Sequence, residues 1–182
     1  HNPTRDALQA ALAELENGKH ASCFSSGMAA ADGLVKLLSS GDHIVSTNDL
    51  YGGTYRMFTK VFARFGVDSS FVNMQDLSTI EAAIQPNTKM LWIETPTNPT
   101  MSIIDIEGAV AIGKKHGLIT VVDNTFATPY LQNPLDMGAD FVLHSITKYL
   151  GGHSDTVMGC VITKDDALNE RIRFIQNSTG AT

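Results

Sequence analysis

The run Leu118-Ile-Thr-Val-Val-Asp123 constrains this chain most, because it is apolar from Leu118 to Val122 at every position but Thr120. It is too short for a helix and does not alternate, so it reads as a strand buried on both faces. Strands of that kind belong to parallel sheets, whose crossover helices cover both sides. Comparable short segments recur at His20 to Phe24, Ile44 to Thr47, Ser70 to Asn73, Lys89 to Glu94, Asp140 to Ser145 and Val157 to Thr163. Between them stand stretches with helical spacing, carried by Leu8, Leu12 and Leu15, by Met28, Leu34, Leu37 and Leu38, by Ile106 and Val110, and by Leu168, Ile172 and Ile175. Asn2-Pro3 opens the first helix as cap and first residue, and Ser78 to Glu81 matches a capping box. Tyr51-Gly-Gly-Thr54 reads as a loop before a helix with Met57, Val61 and Phe65 near one face.

This alternation predicts an α/β fold: a mostly parallel sheet with helices on both faces, and ligand loops beyond the carboxyl ends of the strands. No repeat or linker interrupts it, so residues 1–182 are expected to form one domain. Thirteen Lys and Arg against nineteen Asp and Glu, with no basic run, exclude nucleic acid as an expected partner. No apolar stretch approaches the ~20 residues of a membrane helix, so no membrane partner is expected. Cys23 and Cys160 stand far apart without metal spacing, and no secretory signal is seen. A cytoplasmic protein with reduced thiols is the expectation. The sequence starts at His1 without Met and stops at Ser178-Thr-Gly-Ala-Thr182, so a fragment truncated at both ends is expected.

Three features carry chemistry. Ser26-Gly27-Met28 falls at a helix start directly after a strand, where free N–H groups and the helix dipole favour an anion; a serine-capped tight turn would look the same. There is no GxGxxG and no GxxxxGK[ST], which argues against dinucleotide folds and P-loop enzymes. Asp123 places a carboxylate at the mouth of a buried strand, costly unless a cation meets it, though it would also serve to cap the turn that follows. Lys148, in His144-Ser-Ile-Thr-Lys148, shares that sheet edge with the hydroxyls of Ser145 and Thr147. An amine there becomes a nucleophile once partial burial or nearby charge prepares it. Anion cradle, acid for a pyridinium and amine for an aldehyde together are what pyridoxal phosphate (PLP) requires.

Asn2-Pro-Thr4, Ser26-Gly27-Met28, Tyr51-Gly-Gly-Thr54, Glu94-Thr-Pro-Thr-Asn-Pro-Thr100, Val121-Val-Asp-Asn-Thr125 and Ser145-Ile-Thr-Lys-Tyr-Leu-Gly-Gly-His-Ser-Asp155 resemble the Cys/Met-metabolism family of PLP enzymes. The likeness runs along essentially the whole sequence. It implies the fold type I, aspartate aminotransferase-like large domain, without the small C-terminal domain. It also implies PLP held as a covalent Schiff base by Lys148, with Asp123 opposite the ring nitrogen, Tyr51 stacked on the ring and Asn98 near its phenolic oxygen. Gly27, Met28, Ser145 and Thr147 would hold the phosphate, Thr125 would support the ring region near Asp123, and Arg56 would meet the substrate. Lys148, Tyr51 and Asp123 would be catalytic, with the Lys148 amine moving protons.

The implied reaction is γ-elimination or γ-replacement on cystathionine or an O-activated homoserine, with the γ-lyase expected and the γ-synthase as alternative. Gly53 and Thr97 stand where methionine γ-lyases usually have Cys and often Ala, which lowers that option. A homotetramer, assembled as a dimer of dimers, is implied as well. The resemblance places a Tyr-x-Arg pair upstream of Asn2 and a substrate-carboxylate arginine in the C-terminal domain, both outside this sequence. Two further readings stay open: a non-catalytic PLP-binding fragment, and a nucleotide-binding α/β domain using Ser26-Gly27. His144 and His153 flank the lysine without ligand spacing, so no metal is expected, and Glu94 reads as a hydrogen-bonded structural carboxylate.

Overall fold

Asn2 caps the first helix, α1 (Pro3–Leu15): its side-chain oxygen accepts from the N–H groups of Thr4 and Arg5 at 3.0 and 3.3 Å. The structure is a computed structural model and describes residues 2–182. After α1 come β1 (His20–Phe24), α2 (Gly27–Val35), β2 (His43–Thr47), α3 (Gly52–Arg56), β3 (Asp68–Val72), α4 (Ser78–Ala83) and β4 (Thr88–Glu94). Then follow α5 (Ile106–Lys115), β5 (Ile119–Asp123), α6 (Thr128–Leu131), β6 (Phe141–Ser145), β7 (Gly159–Thr163) and α7 (Asp166–Thr179).

The seven strands form one sheet in the order β1-β7-β6-β5-β4-β2-β3. Strands β2 to β6 pair in parallel, as expected, while β7 runs antiparallel to both β1 and β6. No helix lies between β6 and β7, so the chain simply turns back. Successive residues of each central strand go to opposite faces. Val121, Phe141 and Leu143 pack with Leu34 and Val35 of α2 and Ile172 of α7, whereas Val122, Leu91 and Ile93 pack with Ala109 and Val110 of α5. On that second face α1 covers the β1–β7–β6 end through Leu12 and Ala13 against Cys23, Val142 and Ile162. Each such aliphatic side chain taken from water contributes about 1.5–3 kcal/mol. Among the described residues no helix is long and apolar enough to cross a membrane.

Two local expectations are corrected. The segment Tyr51 to Thr54 is not a loop: α3 begins at Gly52, loosens to π pitch over Met57–Val61 and tightens to a 3-10 turn over Phe62–Phe65. The change of pitch resets the inward face, so Met57, Phe58 and Phe62 are buried while Val61 and Phe65 are 46% and 67% exposed. The capping box also fails to form. Ser78 donates through both N–H and hydroxyl to Asp76, and Glu81 turns to Lys115 and His116 beside α5 at 2.7 and 2.9 Å.

Candidate active site

The parallel strands β4, β5 and β6 end on Glu94, Asp123 and Ser145, and these ends share one rim of the sheet. Phe24, at the end of β1, reaches the same rim, because Phe24 and Ser145 both pair with Gly159 at the start of β7. The turn after β1 therefore delivers the N-terminus of α2 beside Ser145. The approach is close: a Cβ on Gly27 would lie 2.7 Å from Ser145 Cβ, and one on Gly159 would lie 2.2 Å from the Ser26 carbonyl oxygen. Two glycines thus let three backbone segments converge.

Over this rim lies a cavity of about 470 Å³. Gly27, Met28, Tyr51, Asn98, Asp123, Thr125, Ser145, Thr147 and Lys148, every cofactor-binding residue expected from the sequence, line it. Arg56 does not; it is exposed on α3 outside the lining. His144 is buried and also outside the lining, and the exposed His153 bonds only the Gly151 carbonyl at 3.0 Å.

At one end of the cavity, the Ser26 hydroxyl accepts from Ala29 N–H at 3.0 Å and the Ser26 carbonyl from Ala30 N–H at 3.0 Å. The N–H groups of Gly27 and Met28, which no helical carbonyl can reach, are left for an anion. At the end of β5, Asp123 Oδ1 accepts from Thr125 N–H at 3.0 Å and Thr125 hydroxyl at 2.6 Å, and Asp123 lines the cavity. The Thr125 hydroxyl in turn accepts from Ser145 N–H at 2.9 Å, linking the ends of β5 and β6. So Asp123 both caps its turn and lines the cavity. Burial raises its pKa above the usual carboxylate range against the pull of the two Thr125 bonds.

Three residues of the lining have particular settings. Lys148 is exposed at the rim, because it lies within the turn that follows Ser145, with Lys148 N–H bonded to Ser145 O at 3.1 Å and Gly152 N–H to Lys148 O at 2.7 Å. The Thr147 hydroxyl donates to Met158 O at 3.2 Å and accepts from Met158 N–H at 3.1 Å, so reaching an anion would cost it the first bond. Tyr51, 45% exposed, stands at the start of α3, and its ring lies where a Cβ on Gly53 would sit, 2.4 Å from Tyr51 Cε1. Any side chain at position 53 would displace that ring.

The sequence reading missed one contributor, Gly159, and gave a second, Glu94, only as a hydrogen-bonded structural carboxylate. Gly159 gave no local signal, since its need for space comes from a segment more than a hundred residues away. Glu94 has a direct link to Tyr51: both its carboxyl oxygens accept from Tyr51 N–H, at 3.1 and 3.0 Å. Its register partner is Asp123, which hinted that two carboxyls would meet at the rim. Burial, and then the Asp123 charge, push Glu94 up to about 8. The folded chain therefore holds a proton that the unfolded chain gives up near 4.5. That contribution is full below pH 4.5, declines as pH rises, and is lost above about 8. In the cofactor-free protein, Glu94→Gln should flatten the fall in stability between those values by on the order of 5 kcal/mol, read by denaturant titration at several pH values. Parallel pH profiles for the two proteins would contradict this.

A pyridine ring carrying phosphate, aldehyde and phenolic oxygen fits this donor set: free N–H groups and a hydroxyl, a carboxylate, and an amine at the rim. The model for the family described as Cys/Met metabolism PLP-dependent enzyme matches residues 1–182. The chain is 55% identical over 179 residues to the cystathionine gamma-lyase of Bacillus subtilis, covering 98% of this chain and 47% of that one. It is 51% identical over 181 residues to the cystathionine gamma-synthase of Mycobacterium leprae, covering 99% and 47%. The solved cystathionine gamma-lyase of Lactobacillus plantarum, complexed with L-serine, superposes with a TM-score of 0.98 at 48% identity, over 99% of this chain and 47% of that one. The chain thus spans about half the length of these relatives.

Proposed function

This chain belongs to the Cys/Met metabolism PLP-dependent enzyme family, and from that premise we propose that it forms the cofactor-binding part of a trans-sulfuration enzyme. The proposed reaction is γ-elimination from cystathionine, with γ-replacement on an O-activated homoserine as the neighbouring activity; relatives of both kinds support the pair. The observation that carries the proposal is the convergence of Lys148, Asp123 and the N-terminus of α2 on one cavity.

The enzymes of the family use PLP, which when bound supplies an electron sink for negative charge developing at the substrate's α carbon. The chain's own residues do the rest. The N–H groups of Gly27 and Met28 with the Ser145 hydroxyl would bind the phosphate, and Asp123, oriented by Thr125, would bind the ring nitrogen. Asn98, in the cavity lining, would meet the ring's phenolic oxygen. Lys148 Nζ would be the group that holds the cofactor's aldehyde carbon, and as a free amine it would take the proton from the substrate α carbon and return it further along the chain. Tyr51, anchored through Glu94, covers the ring, and Arg56 meets the substrate from outside the rim. Ala31, Phe126 and Leu143 exclude water from the cavity wall. Shared sites in a homotetramer complete the proposal.

The test is an assay of the protein carrying this chain, with PLP, on cystathionine and separately on O-succinylhomoserine plus cysteine. Cystathionine cleavage is expected to be the faster reaction. Faster cystathionine synthesis would move the assignment to the synthase, and no turnover of either by PLP-loaded protein would refute it.

A further inference from the structure

On the sheet face opposite the cavity the carboxyl of Glu16 is buried at the C-cap of α1. Glu16 Oε1 accepts from Asn124 Nδ2 at 2.7 Å and lies 2.5 Å from His144 Nε2, while Oε2 accepts from Asn133 Nδ2 at 3.4 Å. Glu16, Asn124 and His144 are each at most 1% exposed. A carboxyl taken this far from water costs several kcal/mol unless donors surround it, and Leu12 and Ala13 already anchor α1 without it.

What Glu16 joins is specific. Asn124 directly follows Asp123 on leaving β5, and His144 directly precedes Ser145 on β6. One oxygen atom therefore ties the chain neighbours of Asp123 and Ser145, two residues that line the cavity. Asn124 is fixed further by Gln132, whose side-chain amide donates to Asn124 Oδ1 at 2.8 Å, and by its own N–H to Leu143 O at 2.9 Å.

We propose that Glu16 is a positioning residue that, through Asn124 and His144, sets the separation between Asp123 and Ser145. This rests on the reading that Asp123 faces a ring nitrogen and Ser145 a phosphate. A ligand held at two points gains affinity when the points are fixed at its own length in advance. Loosening the tie removes that joint gain while leaving each single contact intact.

The test titrates cofactor-free protein with three probes: PLP, inorganic phosphate, and pyridoxine, which carries the ring nitrogen without phosphate or aldehyde. Glu16→Ala is expected to weaken PLP about tenfold or more while phosphate and pyridoxine stay within about twofold. Glu16→Gln, which keeps an acceptor at Oε1, should restore most of the PLP affinity. Equal weakening of all three probes, or unchanged PLP binding, would overturn the proposal. If Glu16→Ala does not fold by circular dichroism, Asn124→Ala cuts one arm of the tie, and the same selective loss is expected of it. Failure of the underlying reading shows separately in the unsubstituted protein, where phosphate would then not compete with PLP.

Discussion

Lys148→Ala should abolish covalent attachment of PLP and the absorbance band of its Schiff base, and lower turnover by roughly 10²–10⁴-fold from the proton-transfer role alone. Stability should hardly move. Lys148 is exposed and makes no ion pair among the described residues, so its truncation is expected to stay within about 0.5 kcal/mol. Lys148→Arg sharpens the result, because it keeps the positive charge but removes an amine that condenses with an aldehyde. Both variants should retain PLP noncovalently, since the phosphate and ring-nitrogen contacts lie on other residues. A variant that keeps its Schiff-base absorbance and its activity would show that another group does this work.

The second large effect lies where no chemistry happens. Gly159→Ala would put a carbon 2.2 Å from Ser26 O, 2.5 Å from Ser26 C and 2.7 Å from Gly27 Cα, all backbone atoms that cannot swing aside. Either β7 leaves Ser145 and Phe24, its partners in the sheet, or the N-terminus of α2 lifts away from Ser145. A cost of about 3 kcal/mol is expected, a fall in melting temperature of roughly 6–12 °C for a chain of this size, together with loss of phosphate affinity. Gly52→Ala is the control: its nearest new contact, Arg56 Nη1 at 3.7 Å, is ordinary, and the expected change is within about 0.5 kcal/mol. Equal melting temperatures for the two variants would contradict this account.

These two positions also mark what was legible in the sequence. Runs such as Leu118 to Val122 announce a sheet covered on both sides, and Asp123 and Lys148 at the strand ends announce where ligands go. Short-range signals of this kind survive in one dimension. The antiparallel return of β7 did not, since it depends on the missing crossover helix after β6. Nor did the pitch changes after α3, which come from packing Phe58 and Phe62 under the sheet. Gly159 and Glu16 act through partners more than a hundred positions distant, and a glycine or a glutamate alone says nothing of that. The capping box failed for a related reason: Glu81 found a stronger tertiary partner in Lys115 than the local N–H it was matched to.

The most direct measurement is borohydride reduction of the PLP-loaded protein followed by peptide mass mapping. The account predicts one pyridoxyl adduct, on the peptide that carries Lys148. An adduct on Lys19, Lys164 or any other lysine, with Lys148 unmodified in PLP-saturated protein, would contradict it.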